Sequence, residues 1–411
     1  MEESIEYKQT VPSKQNPEQP KNKRKKHIWI AILWILTILL AVALTYAAML
    51  FFGTNESATL DQAMQIIRDH FYFYEKDQDR LVDGAIHGMT QSLEDPYSTY
   101  YNEEEYAALT KTNSGNYTGI GIVLQQQESG AFEIVQVYPN TPAEEAGFCV
   151  HDIVIELNGI SAEGMALDAF LTNMIKENGV ENKIKVLRQG EELLFSVAAR
   201  EIYAPTVVYR MQTDTIGYLQ LSGFHGECVT EVQEAVEELR EQGMQALIFD
   251  VRDNPGGSLY DVCDIADLFL PKGLVITSLR SRTEQQQDYK TENNGFEFPM
   301  VLLVNGNSAS ASELLAGALQ DHRRAYVIGE QTFGKGIVQS YFLVPGTNGY
   351  VKITTEAYYT PNGVCIHGIG ITPDLAVENS EEAKRYSVQT CPLEYDMQLQ
   401  AAITYLDQDP S

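Results

Sequence analysis

From residue 201 the chain alternates short apolar strands with amphipathic helices, and this alternation limits the fold to an α/β layer with reactive residues on loops at strand ends. TIGYLQL (215–221) precedes a helical stretch at 227–241 whose Val232, Val236 and Leu239 share one face. ALIFDV (246–251) precedes a turn and a helix carrying Leu259, Val262, Ala266 and Phe269. MVLLVN (300–305) leads into a helix beginning near Ser310, and AYVIGE (325–330) follows.

The pattern upstream is different. Residues 57–110 read as helices, with Leu60, Met64, Ile67 and Phe71, then Ile86, Met89 and Leu93, at three- and four-residue intervals. Short strands follow from Thr118: FEIVQVY, DIVIEL, KIKVLR and LLFSVAA, with a small helix at 166–175 between them. They describe a compact β-rich module ending near Arg200. Ahead of all this, residues 28–52 are 25 consecutive positions without a charge, preceded by Lys21, Lys23, Arg24, Lys25 and Lys26, and no basic residue returns until Arg68. That order predicts a transmembrane signal anchor at 28–52 with residues 1–27 as a basic cytoplasmic tail and everything after residue 52 outside. Ala41-Val42-Ala43 also fits a cleaved export signal, and both readings carry the bulk of the chain across the membrane.

At 411 residues the chain has room for two or three domains. Its formal charge is −28, and because residues 1–27 hold seven Lys/Arg against four Asp/Glu the remainder carries −31, which sets it against nucleic acid and anionic lipid as partners. The five cysteines have no CxxC spacing, and neither HExxH nor a Cys/His cluster occurs, so no metal or redox site is expected. Cys228 and Cys263, on helix faces, suit buried free thiols.

The chemistry concentrates between 304 and 339. A serine at a strand-to-helix junction, with a lysine returning on the next loop, is a plausible nucleophile and base, provided burial or neighbouring charge lowers the lysine's proton affinity. Ser308-Ala309-Ser310-Ala311-Ser312-Glu313 supplies three serines among which spacing does not choose; Lys335 lies between Gly334 and Gly336, with the Gln339 amide nearby. Taken alone, the serine cluster is equally a helix N-cap with Glu313 in the first turn, and Gly-Lys-Gly an exposed turn. Gly329–Gly336 approaches the phosphate-binding pattern GxxxxGK[ST], but Gly336 has no hydroxyl and IVQSYFLV reads as a strand where that motif requires a helix. Asp253-Asn254-Pro255-Gly256-Gly257, between a strand and a helix, is either a tight turn or one side of an oxyanion hole, whose other donor would be the amide of Ala311. His225, His322 and His367 sit in no histidine-triad context.

Six segments taken in order resemble the C-terminal processing peptidases, or tail-specific proteases: AIHGMTQSLEDPYSTYYNEEEY (85–106), YTGIGI (117–122), DVRDNPGG (250–257), VNGNSASASELLAGALQDH (304–322), GEQTFGKGIVQ (329–339) and YYTPNGVCIHGIGITPD (358–374). The resemblance implies Ser310 as nucleophile, Lys335 as general base and Gln339 as the residue orienting the lysine, with no metal or organic cofactor. It implies a helical N-terminal region at 53–104, a PDZ domain at 105–200 inserted before a crotonase-like α/β protease core at 201–380, and a C-terminal segment at 381–411. In the PDZ reading, Gly119, Ile120, Gly121 and Ile122 receive the free C-terminal carboxylate of a protein substrate, whose tail adds as a strand, while Leu167 and Leu171 line an apolar pocket. A homodimer through the helical region and the segment after 380 is also implied, although Leu399, Ile403 and Leu406 suit docking within one chain equally well. The alternative class is a catalytically silent scaffold that binds tails and cuts nothing. The sequence departs from the family at His151, where glycine is usual, at Lys176, where a regulatory arginine often stands, and at Val364-Cys365, in place of an Arg-Ser pair.

Overall fold

A computed structural model of the chain describes residues 23–52, 55–75, 80–113, 115–127, 129–177 and 179–408. The backbone forms two compact units, 1–81 and 82–411.

The first unit contains helices α1 (Lys23–Phe52) and α2 (Asn55–His70). The side chains described within α1 run from Trp29 to Thr45 and are all exposed. Among the described residues no helix is long and apolar enough to cross a membrane. The transmembrane helix at 28–52 is therefore a correction to the expected fold, and attachment to a membrane through one helix falls with it. Residues 1–22 of the expected basic tail lie outside the described residues.

The second unit opens with α3 (Leu81–Gln91), β1 (Thr99–Tyr101) and α4 (Glu103–Asn113). A β-rich module follows, comprising β2 (Asn116–Gly119), β3 (Ile122–Gln126), β4 (Phe132–Val137), α5 (Pro142–Ala146), β5 (Ile153–Leu157), β6 (Ile160–Ser161), α6 (Leu167–Leu171), β7 (Glu181–Arg188), β8 (Glu191–Ala198) and β9 (Arg200–Tyr203). β2 and β9 pair antiparallel and close the module at its base. The other strands form one sheet in the order β3-β4-β5-β7-β8, with β6 on β5. Alternate residues of these strands, among them Phe132, Ile134, Ile184 and Val186, pack with Phe170 of α6 into the module's own core. These strands and helices do not by themselves identify the module as a PDZ domain. His151, which replaces the glycine usual in the family, has φ +74, the left-handed conformation that explains the glycine. Its ring Nδ1 lies 2.7 Å from Glu133 Oε1.

The remainder contains β10 (Val207–Met211), β11 (Ile216–Leu221), α7 (Cys228–Glu241), β12 (Ala246–Asp250), α8 (Leu259–Asp267), β13 (Val275–Ser281), β14 (Gln286–Lys290), β15 (Met300–Val304), α9 (Ala311–Asp321), β16 (Tyr326–Gly329), β17 (Ile337–Leu343), β18 (Tyr350–Tyr359), β19 (Leu375–Ala376) and α10 (Met397–Gln408). One sheet runs β10-β11-β12-β15-β16-β19 and is parallel except where β10 meets β11. Its central strands are buried on both faces, which is why they read as continuous apolar runs. Leu219, Leu247, Phe249 and Leu302 face α7, α8 and α9; Tyr218, Ile248, Val301 and Leu303 face Leu399, Ala402 and Leu406 of α10. The apolar stripe near the C-terminus thus docks within one chain. A second sheet, β1-β18-β13-β14 with β17 on β18, flanks the first. All five cysteines are free thiols, with Cys228 and Cys263 buried.

Beneath the loop after β12 lies a buried charge cluster. The Arg252 guanidinium donates to Asp250 (2.7 Å), to Asp396 at 2.8 and 2.9 Å and to Gln398 (3.0 Å). Asp250 also accepts the Tyr218 hydroxyl (2.7 Å). Four of these hydrogen bonds, from Arg252 of the loop and Tyr218 of β11, therefore converge on the carboxylates of Asp250 and Asp396, which water does not reach.

Candidate active site

The loop between β15 and α9 decides among the three serines. Ser308 is buried and donates to the Val251 carbonyl (2.8 Å); Ser312 is buried and donates to the Asn254 carbonyl (2.8 Å). Both hydroxyls are occupied in holding this loop against residues 251–254. Ser310 opens onto a cleft of about 930 Å³, shared with Gly256, Gly257, Ala311, Gln339 and Lys352. It has φ +58 and ψ −114 at the N-terminus of α9, a sparsely populated backbone conformation for a residue with a side chain.

Two side chains tie this turn to the lysine loop. Glu313, fully buried, accepts the Ser310 amide (2.8 Å), the Thr332 hydroxyl (2.7 Å), the Gly334 amide (2.6 Å) and the Lys335 amide (2.8 Å). On the other side, the Tyr358 hydroxyl shares its proton between the carbonyls of Ser310 and Lys335. The amide and the carbonyl of both residues are thereby anchored. The glycines beside Lys335 permit this close packing: a Cβ on Gly336 would lie 2.4 Å from the His367 amide nitrogen, and Gly334 has φ +91. The strand expected after Lys335 is β17, as a phosphate-binding loop would not allow.

The Lys335 amine lies 4.5 Å from the centre of the Tyr97 ring, and among the described residues no hydrogen bond joins it to Ser310 or to Gln339. Burial, then the positive charge of Lys352, lower its pKa from the ordinary 10.5, against opposing pulls from Asp95 and Glu313. The Gln339 amide donates to the Thr354 hydroxyl (3.2 Å), which donates to Asp95 (2.6 Å). Burial works against the Asp95 charge, but hydrogen bonds from Ser98, Thr354 and the Tyr97 amide hold its pKa below the ordinary value. Gln339 thus reaches the lysine's surroundings through Thr354 and Asp95.

The glycine loop packs directly on the serine turn. A Cβ on Gly256 (φ +103) would stand 2.8 Å from Ser310 Cβ and 3.0 Å from the Ala311 nitrogen; one on Gly257 (φ +150) would stand 2.1 Å from the Phe224 carbonyl oxygen. Only glycine fits either place. The Gly256 amide is engaged by Asn254 Oδ1 (2.9 Å), whereas among the described residues the amides of Gly257 and Ala311 have no acceptor within the protein. Asn305 and Asn307 both donate to Asp253, joining the two loops from the outer side.

In the β-rich module, the Ile120 and Gly121 carbonyls accept the Ala143 and Tyr138 amides at 2.8 and 2.9 Å. Gly119 ends β2, and Gly121 (φ +93) faces Thr141 so closely that a Cβ would stand 2.3 Å from it. Ile122 begins β3, an edge strand that among the described residues pairs with β4. Leu167 packs against the module core, while Leu171 is exposed. These residues lie within the module and contribute nothing to the Ser310 cleft.

Glu313, Tyr358, Thr332, Asp95, Tyr97 and Lys352 are the residues of this site that sequence reasoning missed. Glu313 carried a signal, as the acid in the first turn of α9, but that signal describes a solvated cap and not a buried acceptor of four bonds. Glu313→Ala is expected to cost about 3 kcal/mol or more in urea unfolding, because buried donors lose a charged acceptor. It is expected to lower kcat by about 10²-fold, the usual result of displacing a reacting group by an ångström.

Residues 215–377 match Peptidase family S41, and residues 38–105 match the activating protease CtpB N-terminal domain. The chain is 34% identical over 375 residues to a carboxy-terminal-processing protease of Bartonella bacilliformis, covering 87% of this chain and 85% of that one. It is 33% identical over 334 residues to carboxy-terminal processing protease CtpA of Bacillus subtilis, covering 81% and 71%. Among solved structures, a putative S41 protease from Bacteroides fragilis superposes with a TM-score of 0.56 at 15% identity, covering 82% of this chain and 91% of that one, a likeness of fold. A serine turn and a glycine loop that line one cleft, with a lysine loop tied to the serine turn, are thus accompanied by relatives matched over most of the chain: it belongs to the carboxyl-terminal-processing proteases of peptidase family S41 and is a serine-type peptidase.

Proposed function

We propose that Ser310 is the nucleophile and Lys335 the general base of an endopeptidase that takes the free C-terminal tails of protein substrates through its β-rich module, which acts as a PDZ domain. The observation that carries the dyad is the double tie of Glu313 and Tyr358, which holds the Ser310 and Lys335 backbones together through their amides and carbonyls and not through the two reacting side chains. Lys335 leaves the Tyr97 ring, takes the Ser310 proton as a neutral amine, and later returns it to the leaving amine. The amides of Gly257 and Ala311 hold the oxyanion, while Gly256 serves by close approach, its own amide being engaged by Asn254. Water then clears the acyl-enzyme. Gln339 orients the lysine through Thr354 and Asp95.

The open edge of β3 supports the tail reading, since an extended peptide adding there gains backbone hydrogen bonds. The basic cluster before the apolar run at 28–52 is the order of an export signal and supports a catalytic unit working outside the cytoplasm. The test uses the full chain with unstructured polypeptides ending in a free carboxylate or in an amide. A fluorophosphonate probe should label Ser310 in the wild type and not in Ser310→Ala, and the amidated substrates should be cut more slowly through a higher KM. Tail binding without any labelling of position 310 or any cleavage would replace this reading with the silent scaffold.

A further inference from the structure

We propose that Tyr97 is a positioning residue whose ring holds the Lys335 ammonium in a resting place outside the Ser310 cleft, so that the dyad assembles only when the amine leaves it. The inference deepens the Ser310–Lys335 reading and rests on it. The Lys335 amine stands 4.5 Å from the centre of the Tyr97 ring, inside the range over which an aromatic face attracts a cation. Among the described residues that amine makes no hydrogen bond and no ion pair, and Lys335 is not among the residues lining the cleft onto which Ser310 opens. The ring face is what the ammonium has in exchange for the water it loses on burial.

The place of the ring is fixed through its backbone. Asp95 Oδ1 accepts the Tyr97 amide (3.0 Å), Oδ2 accepts the Ser98 hydroxyl (2.6 Å), and the Asp95 carbonyl accepts the Ser98 amide (3.1 Å), so the aspartate closes the turn on itself. β18 pins this turn: the Thr354 hydroxyl donates to Asp95 Oδ2 (2.6 Å), and the Thr354 amide donates to the Ser98 hydroxyl (3.1 Å). From the other side Glu313 and Tyr358 hold the amide and the carbonyl of Lys335. Two fixed backbones thus leave the lysine side chain as the part that moves. The charged groups around it are Asp95 from the same turn, Glu313 from α9 and Lys352 from β18, and His367 stands near Asp95. Both carboxylates are committed to the hydrogen bonds of the turn and of the serine–lysine clamp. An aromatic face attracts an ammonium and has no such hold on a neutral amine. The contact therefore favours the protonated, withdrawn form, and loss of the proton frees the amine for Ser310. Removing the ring should raise the neutral share wherever the lysine is still partly protonated.

The experiment is the pH dependence of kcat/KM on a fluorogenic unstructured peptide for the full-length wild type, Tyr97→Leu, Tyr97→Phe and Lys335→Ala. For Tyr97→Leu the acid limb should move to lower pH, with a gain of at least about threefold on that limb that closes as the pH rises and the amine becomes neutral in both proteins. Tyr97→Phe keeps the ring face and should keep the wild-type limb. A Tyr97→Leu profile that is unshifted, moved to higher pH, or lowered by one factor at every pH overturns the proposal while the dyad stands. Activity in Lys335→Ala overturns the dyad itself. If Tyr97→Leu fails to fold, Tyr97→Met is assayed in the same way. A second measurement needs no turnover: the reactivity of the Lys335 amine toward a limiting acylating ester is followed against pH by mass spectrometry in a Ser310→Ala background. Its rise should move to lower pH when the ring is removed, and an unmoved rise overturns the proposal.

Discussion

Ser310→Ala and Lys335→Ala should each lower kcat/KM by about 10⁴-fold or more, and the double variant should be no worse than either alone, because groups acting as a unit do not contribute additively. Both proteins should fold: the Ser310 turn is held by its backbone amide and carbonyl on Glu313 and Tyr358, and the Lys335 amine is free of ion pairs among the described residues. Wild-type activity should rise with pH as Lys335 loses its proton. Since burial and then Lys352 lower its pKa, that rise should come below the range of a free lysine. Full activity in Lys335→Ala, or a wild-type profile that falls across the same range, contradicts the assignment.

Arg252→Met should be the most damaging substitution away from the cleft. It leaves Asp250 and Asp396 as buried carboxylates without their cation, a change that typically costs about 3–5 kcal/mol. Arg252 lies four residues ahead of Gly256, so the glycine loop should loosen together with the C-terminal helix. Chemical denaturation of Arg252→Met should show an early transition, and limited proteolysis should release the segment containing α10 first. Replacing Asp250, Arg252 and Asp396 together by apolar residues should recover much of the loss, since no charge is then stranded. A stability of Arg252→Met within about 1 kcal/mol of wild type would mean that the cluster holds nothing.

The α/β layer was legible because its strands are apolar on both faces and its helices keep a clean period, as in Val232, Val236 and Leu239. The Ser310 and Lys335 segments were legible through resemblance; spacing left Ser308 and Ser312 open, and only burial on Val251 and Asn254 separates them. Glu313, Tyr358 and Asp396 were not legible, because their partners are brought near by tertiary packing: Tyr358 lies 48 residues from Ser310, and Asp396 lies 144 from Arg252. His151 was noted as a departure, and its left-handed backbone is one that favours glycine at that place. The span expected at 28–52 rested on an uncharged run and the basic residues ahead of it, whereas among the described residues no helix is long and apolar enough to cross a membrane.

The burial of α10 has a consequence for a peptidase that acts on chain ends. With Leu399, Ala402 and Leu406 packed under the central strands and Asp396 gripping the arginine below the glycine loop, the segment from Asp396 to Leu406 offers no slack polypeptide to thread into a neighbouring copy's cleft. A variant that loses the arginine's grip should therefore be cut by its neighbours within this segment more readily than the wild type is, a difference that mass spectrometry of the incubated proteins would read.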